Sequence, residues 1–126
     1  MTDINIINDF FDENVAIFPT EIDKNDGRFK IIAEEIQKSQ PAKVLDLGCG
    51  KGRFTKALND VFPGMDYHGV DISEKMLAEA PDFMTKKKAT LLDTTYPSEY
   101  FDFVFSIEAL EHAVDIESAI KEMHRV

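Results

Sequence analysis

Three glycines at alternate positions, directly after an apolar run, constrain this chain more than any other feature of its sequence. Residues 44–47 read Val-Leu-Asp-Leu, and Gly48, Gly50 and Gly52 follow. Glycine adopts positive φ readily and, having no side chain, lets a ligand lie directly against the backbone. A helix that starts near Gly52 turns its first backbone N–H groups toward the same place. The segment therefore predicts a strand, a turn and a helix that together bind a nucleotide-type cofactor.

Three loop patterns compete for this segment. A dinucleotide-binding loop, as in a nicotinamide-dependent reductase, has its third glycine where this chain has Arg53. A P-loop has Ser or Thr after its Gly-Lys pair, whereas Gly52 follows Lys51 here. An acidic residue, Asp46, stands two places before the first glycine. The resulting Asp-x-Gly-x-Gly-x-Gly pattern resembles motif I of the class I S-adenosylmethionine-dependent methyltransferases.

Two segments downstream of the loop read as strands that end in carboxylates. Residues 66–71 predict a second strand that ends at Asp71, and residues 89–93 predict a third strand that ends at Asp93. Parallel strands joined by helices bring their carboxyl ends to one edge of the sheet. The cofactor is therefore expected to meet both carboxylates at that edge.

The predicted fold class is α/β, a Rossmann-like doubly wound parallel sheet. Residues 101–106 predict a fourth strand and resemble the family's Phe-Asp-x-Val-x-Ser segment, so the resemblance covers about residues 42–126. It implies the strand order 3-2-1-4, with the remaining strands of the seven-stranded family fold absent. We expect an N-terminal lead or cap over residues 1–24 and a truncated cofactor-binding domain over residues 25–126.

Apolar spacing predicts one helix before the first strand and one after the fourth. Phe29, Ile32, Ala33 and Ile36 recur at helical intervals, and Asp26 precedes them as a candidate cap. Residues 116–125 show a similar amphipathic pattern.

The resemblance implies S-adenosylmethionine as the cofactor and S-adenosylhomocysteine as the product. It implies that Asp71 holds the ribose hydroxyls, that Asp93 and the Thr94 backbone N–H face the adenine, and that Ile107 and Glu108 line the sulfonium. The full set of expected cofactor-binding residues is Asp46, Gly48, Cys49, Gly50, Gly52, Asp71, Ile72, Asp93, Thr94, Ile107 and Glu108.

The segment Glu-Ala-Leu-Glu-His, residues 108–112, resembles the small-molecule branch that includes ubiquinone-biosynthesis O-methyltransferases. If this segment is helical, Glu108, Glu111 and His112 share one face beside the end of the fourth strand. Three interpretations stay open: the residues line the pocket, His112 acts as a catalytic general base, or the three side chains hold a divalent metal ion.

Charge and composition limit the classes of binding partner and the cellular environment that we expect for this chain. The net charge of −10 disfavours a nucleic-acid partner, because an acidic surface repels phosphate backbones. The sequence contains no apolar run near the ~20 residues of a membrane span, so no membrane partner is expected. The sequence has a single cysteine, Cys49, so it forms no internal disulfide, and we expect a location in the reducing cytoplasm. We expect the small Cys49 side chain to be buried within the loop. The basic run Lys86–Lys88 is expected to lie in the solvent-exposed turn that leads into the third strand.

The sequence ends after Arg125 and Val126, where the family continues into further strands. We therefore expect the fourth strand to form a sheet edge that favours a homodimer, aggregation or a further C-terminal segment in the natural protein. The expected function is methyl transfer from S-adenosylmethionine to a small-molecule acceptor. The alternative is a cofactor-binding fragment or regulatory module without catalytic activity.

Overall fold

The computed structural model describes residues 4–126 and shows one parallel sheet flanked by helices. Its strands lie in the order β3-β2-β1-β4, which confirms the predicted doubly wound α/β fold. The strands are β1 (Lys43–Leu47), β2 (Asp66–Asp71), β3 (Thr85–Lys88) and β4 (Phe103–Phe105). The helices are α1 (Ile4–Glu13), α2 (Gly27–Ser39), α3 (Arg53–Val61), α4 (Glu74–Ala78) and α5 (Ile116–Arg125).

The central strand β1 divides the core into two layers, because successive side chains of a strand point to opposite faces. Val44 packs in one cluster with Phe29 of α2 and Leu58 of α3. Leu45 packs in the other cluster with Val126, which directly follows α5. Both faces of the sheet are thus covered, as a parallel sheet requires. Within residues 4–126, no helix is both long and apolar enough to cross a membrane.

Helix α2 forms as its sequence predicts. The carboxylate of Asp26 accepts a hydrogen bond from the backbone N–H of Arg28 at 2.8 Å, which satisfies a free donor of the first turn. Phe29 and Ile36 are buried on its inner face. The helix ends at Ser39, and the next residue, Gln40, adopts a left-handed conformation before Pro41.

The predicted third strand over residues 89–93 was wrong, because β3 lies earlier, at Thr85–Lys88. The lysine run is the strand itself rather than the turn that enters it. β3 is an edge strand, where lysines are tolerated because their long side chains carry the ammonium groups to surface partners while the backbone pairs with β2. The ammonium of Lys87 lies 4.0 Å from the ring centre of Tyr96, and Lys86 donates to the carbonyl oxygen of Ala80.

Gly69 in β2 lets the glycine loop pack against the sheet. A β-carbon at this position would lie 2.7 Å from the Cys49 sulfur and 2.6 Å from the Met84 methyl carbon. Both distances are shorter than van der Waals contact. The loop and Met84 therefore occupy the space that any other side chain would need.

We predict that Gly69→Ala lowers the free energy of unfolding by about 1–3 kcal/mol, because the added methyl overpacks this contact. The matched control is Gly27→Ala at the start of α2, where a β-carbon would meet nothing within 4 Å. That control is expected to be neutral or stabilising, because alanine favours helix. Urea denaturation of both variants measures the difference, and equal effects would contradict the packing argument.

Candidate cofactor site

The glycine loop between β1 and α3 is fastened to the neighbouring strand β2. The backbone N–H groups of Gly48 and Cys49 both donate to the carbonyl oxygen of Val70, at 2.7 and 3.0 Å. Gly52 N–H donates to the Cys49 carbonyl oxygen at 2.8 Å. Gly48, Gly50 and Gly52 all have positive φ, between 55 and 77°. The loop is therefore held rigidly, with its turn presented at the carboxyl ends of the strands.

Asp71 ends β2 and connects the glycine loop to the next helix. Its carboxylate accepts hydrogen bonds from the N–H groups of Gly50 at 2.8 Å and Ser73 at 2.9 Å. Burial raises the pKa of Asp71, and these backbone donors lower it in part. The carboxylate lines a cavity above the loop, and each oxygen has lone pairs left for further donors such as hydroxyl groups.

Asp46 is buried beneath the same loop on the face of β1 that α3 covers. The hydroxyl of Thr55 in α3 donates to its carboxylate at 2.8 Å. Burial raises the pKa of Asp46 from 3.8 to about 7, the Thr55 hydroxyl opposes this rise, and the nearby Asp71 carboxylate adds to it. The side chain also lines the cavity, so the cavity floor holds two carboxyl groups close to each other.

The cavity lies between this floor and a roof formed by the N-terminal segment. We call residues 4–19 the roof segment, because five of its apolar side chains line the cavity: Ile4, Ile7, Phe11, Phe18 and Pro19. The floor and walls include Asp46, Gly48, Cys49, Gly50, Asp71, Ile72, Met76, Thr90, Leu91, Leu92, Ile107, Glu108 and His112.

The space around two glycines of the loop, Gly48 and Gly50, differs. A β-carbon at Gly48 would lie 2.3 Å from the β-carbon of Ala109, so the segment after β4 approaches the loop closely there. A β-carbon at Gly50 would meet nothing within 4 Å. The loop at Gly50 thus faces open space, where a ligand can lie against the backbone.

Most of the predicted cofactor residues meet at this cavity, but Asp93 and Thr94 are not among its lining residues. The exposed Asp93 closes a turn with Thr90, and its carboxylate accepts from Thr95 N–H at 3.0 Å. The N–H and hydroxyl of buried Thr94 both donate to Glu122 of α5, at 2.7 and 2.8 Å. The Thr94 N–H therefore already has a partner within the protein. The wall here is made instead by residues 90–92.

Gly52 also differs from the expected contact set. It is buried and serves as the residue before α3, with positive φ. A β-carbon there would lie 2.8 Å from the Met84 sulfur and 3.0 Å from the ring of Pro81. Gly52 therefore contributes close packing beneath the loop rather than a lining surface.

Residues 108–112 do not form the helix that would place Glu108, Glu111 and His112 on one face. Glu108 has a φ of 54°, and a single 3-10 turn spans Leu110–His112. The Glu108 carboxylate points to two guanidinium groups, at 2.6 Å from Arg28 and 3.5 Å from Arg53. The Glu111 carboxylate lies 3.7 Å from His112 Nε2.

The structure therefore does not bring the candidate metal ligands Glu108, Glu111 and His112 together at one point. Among residues 4–126, no group of three or more His, Cys, Asp or Glu side chains is arranged to hold a metal ion. His112 lines the cavity, is about half exposed, and packs edge-on against Phe11 of the roof segment with ring centres 5.3 Å apart.

Sequence reasoning missed several residues that shape the site. No sequence motif indicates the roles of Thr55, Lys51 and Glu122. Each forms a hydrogen bond with a partner that is not its neighbour in the sequence. The roof residues had a signal in the apolar content of the N-terminal segment, although their spacing did not indicate which of them face the cavity.

Comparisons with known proteins agree with this geometry. A profile described as a methyltransferase domain matches residues 45–126. The chain is 34% identical over 93 residues to malonyl-acyl-carrier-protein O-methyltransferase of Halorhodospira halophila, covering 68% of this chain and 31% of the relative. It is also 34% identical over 80 residues to ubiquinone biosynthesis O-methyltransferase of Bradyrhizobium diazoefficiens, covering 59% of this chain and 31% of that relative.

One solved structure is similar to the chain in both fold and sequence. It is an S-adenosylmethionine-dependent methyltransferase from Mesorhizobium loti, with a TM-score of 0.62 and 30% identity, and the match covers 79% of this chain and 48% of that one. The chain thus spans about a third of the length of the two curated relatives.

The buried Asp46 carboxyl gives a testable pH dependence. The folded state keeps this proton up to about pH 7, whereas the unfolded chain releases it near 3.8. Stability from this group is therefore fully present at low pH and is lost as the pH rises from about 4 to about 7. Asp46→Asn keeps an oxygen for Thr55 but does not titrate. We expect its stability relative to the unsubstituted protein to increase across this range, by at most about 4 kcal/mol.

Urea denaturation at about pH 4.5, which lies inside this window, and at about pH 8, which lies about one unit above it, measures that difference. The control is Asp60→Asn, whose carboxylate is 56% exposed and pairs with Lys24. A constant difference between Asp46→Asn and the unsubstituted protein would contradict the raised pKa.

Proposed function

The chain belongs to the methyltransferase domain family, and we propose that it forms the cofactor-binding part of an enzyme that methylates a small-molecule acceptor. Membership implies S-adenosylmethionine as the cofactor, as named for the Mesorhizobium loti structure. The observation that carries the proposal is the cavity itself. It joins a rigid glycine loop, the Asp71 carboxylate at the end of β2, and apolar walls at one edge of the sheet.

The residues present fit this cofactor in shape and in chemistry. The open space above Gly50 admits a ligand against the backbone, and Asp71 offers carboxylate oxygens to a pair of ribose hydroxyls. Ile72, Met76 and Leu91 provide apolar surface suited to a planar base. We therefore place the adenine against residues 90–92 and Ile72, rather than against Asp93 and Thr94.

When bound, S-adenosylmethionine supplies an electrophilic methyl group on its sulfonium. The protein's own contribution is to position the reactants and exclude water. Ile107 and Glu108, directly after β4, line the part of the cavity beneath the roof segment. The apolar roof side chains shield this region, and Asp46 supports the loop from below.

His112 is the residue of the cavity best suited to accept a proton from an acceptor hydroxyl. Imidazole is the side chain that proteins use most often for proton transfer, and that of His112 is both accessible and held by Phe11. We propose it as the general base. The relatives are named as O-methyltransferases of malonyl-acyl-carrier protein and of ubiquinone biosynthesis, which supports an oxygen of an organic group as the methyl acceptor.

The sheet edge at β4 supports a proposal about assembly. β4 lies at one end of the strand order, so the edge not paired with β1 is open to another strand. We propose that this edge pairs with a strand from a further segment or from a second copy of the chain.

We predict that Asp71→Ala weakens S-adenosylmethionine binding by at least about 100-fold. This loss corresponds to about 3 kcal/mol of binding free energy, which is the magnitude expected when the hydrogen bonds of a carboxylate to two ribose hydroxyls are lost. Isothermal titration calorimetry measures it, with NADH as a competing ligand. Binding of NADH alone would contradict the proposed function.

Two matched controls separate the roles of the carboxylates. Asp66→Asn changes an exposed carboxylate at the opposite end of the same strand and is expected to leave affinity unchanged. Asp93→Ala is also expected to leave affinity within about twofold, because its side chain lies outside the cavity lining. A large loss in Asp93→Ala would restore the assignment made from sequence.

A further inference from the structure

Lys51 is a buried lysine whose side chain extends from the glycine loop to the N-terminal segment. Its side chain is only 4% exposed, and Nζ donates to the carbonyl oxygen of Phe18 at 2.7 Å. The carboxylate of Glu79 lies 3.4 Å from the same nitrogen. A buried ammonium is stable only with such partners, so these contacts fix the position of the side chain.

This hydrogen bond joins the floor of the cavity to its roof. Lys51 stands between Gly50 and Gly52 in the loop, whereas Phe18 and Pro19 line the cavity from the roof segment. Hydrogen bonds from a charged donor are about twice as strong as neutral ones. The acceptor is a main-chain carbonyl, so the contact restrains the backbone of the roof segment rather than one side chain.

Other ionic contacts near the roof are more exposed. Lys56 of α3 pairs with Glu21, and their side chains are 44% and 70% exposed. Lys24 pairs with Asp60, and both side chains are at least half exposed. Exposed ion pairs contribute little, because water competes for both charges. The Lys51 contact is therefore the stronger restraint of these three.

We propose that Lys51 is a positioning residue that holds the roof segment closed over the cofactor cavity through its hydrogen bond to the Phe18 carbonyl. The closed roof slows the exchange of ligand and solvent with the cavity. The effect on cofactor affinity rests on the function proposed above. The effect on closure is a property of the protein without ligand and is measured separately.

Cys49 provides the readout of closure. It is the only cysteine in the sequence, is buried, and lines the cavity below the roof. Its sulfur packs beneath the loop near Gly69, so its alkylation by iodoacetamide at a fixed alkaline pH, followed by mass spectrometry, reports how often the roof and the loop open together. We expect Lys51→Met, which keeps the length of the side chain but removes the charge, to speed alkylation about tenfold. The matched control Lys56→Met is expected to stay within about twofold.

The second readout is binding of S-adenosylhomocysteine by calorimetry and by stopped-flow displacement. Lys51→Met is expected to weaken affinity about tenfold through faster dissociation, with Lys56→Met unchanged. If the unsubstituted chain binds no S-adenosylhomocysteine, the proposed function fails, while the alkylation rates still test closure.

Circular dichroism confirms folding of each variant before either measurement. If Lys51→Met does not fold, Lys51→Gln replaces it, because its amide is polar but too short to make the same contact. Faster alkylation in the Lys51 variant and not in the Lys56 variant supports the proposal. Equal alkylation rates in folded Lys51 and unsubstituted protein, or equal acceleration in both variants, would overturn it.

Discussion

The hydrogen bonds between the glycine loop and β2 are the constraint on which the rest of this structure depends. Two loop N–H groups share the carbonyl oxygen of Val70, and a third donates to the carboxylate of Asp71. These contacts are made only because β1 and β2 are parallel neighbours, with Leu47 in register with Val70. Once the loop is fixed in this way, the start of α3, the burial of Asp46 and the floor of the cavity follow.

The same contacts change how the loop serves a ligand. In a nucleotide site the loop amides are often expected to bind the ligand, but those of Gly48, Cys49, Gly50 and Gly52 already have partners within the protein. The loop therefore contributes close approach and shape, whereas the polar contacts come from side chains such as Asp71. This division explains why the two buried carboxyl groups lie so near the cavity in spite of the cost of burying them.

The cavity is completed by segments far apart in the chain. The roof segment comes from residues 4–19, one wall comes from residues 90–92, and the segment after β4 closes the third side. The glycine loop holds two of them, because Lys51 binds the Phe18 carbonyl and Gly48 lies close to Ala109. Helix α5 holds the third through the hydrogen bonds of Thr94 to Glu122. The site is thus an assembly of local pieces whose relative positions are set by the sheet.

The sequence by itself determined the features that depend on neighbouring residues. The glycine spacing predicted the loop, Asp26 and the apolar periodicity predicted α2, and the alternation of strands and helices predicted a parallel sheet. The family resemblance implied the strand order, which the structure confirms. Tertiary structure decided the rest. The lysine run forms β3 because the long side chains of an edge strand reach surface partners such as the Ala80 carbonyl and the Tyr96 ring. Residues 108–112 do not form a helix, and Thr94 bonds Glu122 instead of lining the cavity. The physical reason is that backbone preference is local, whereas the partner of a polar group is chosen by whatever the folded sheet brings within hydrogen-bond distance.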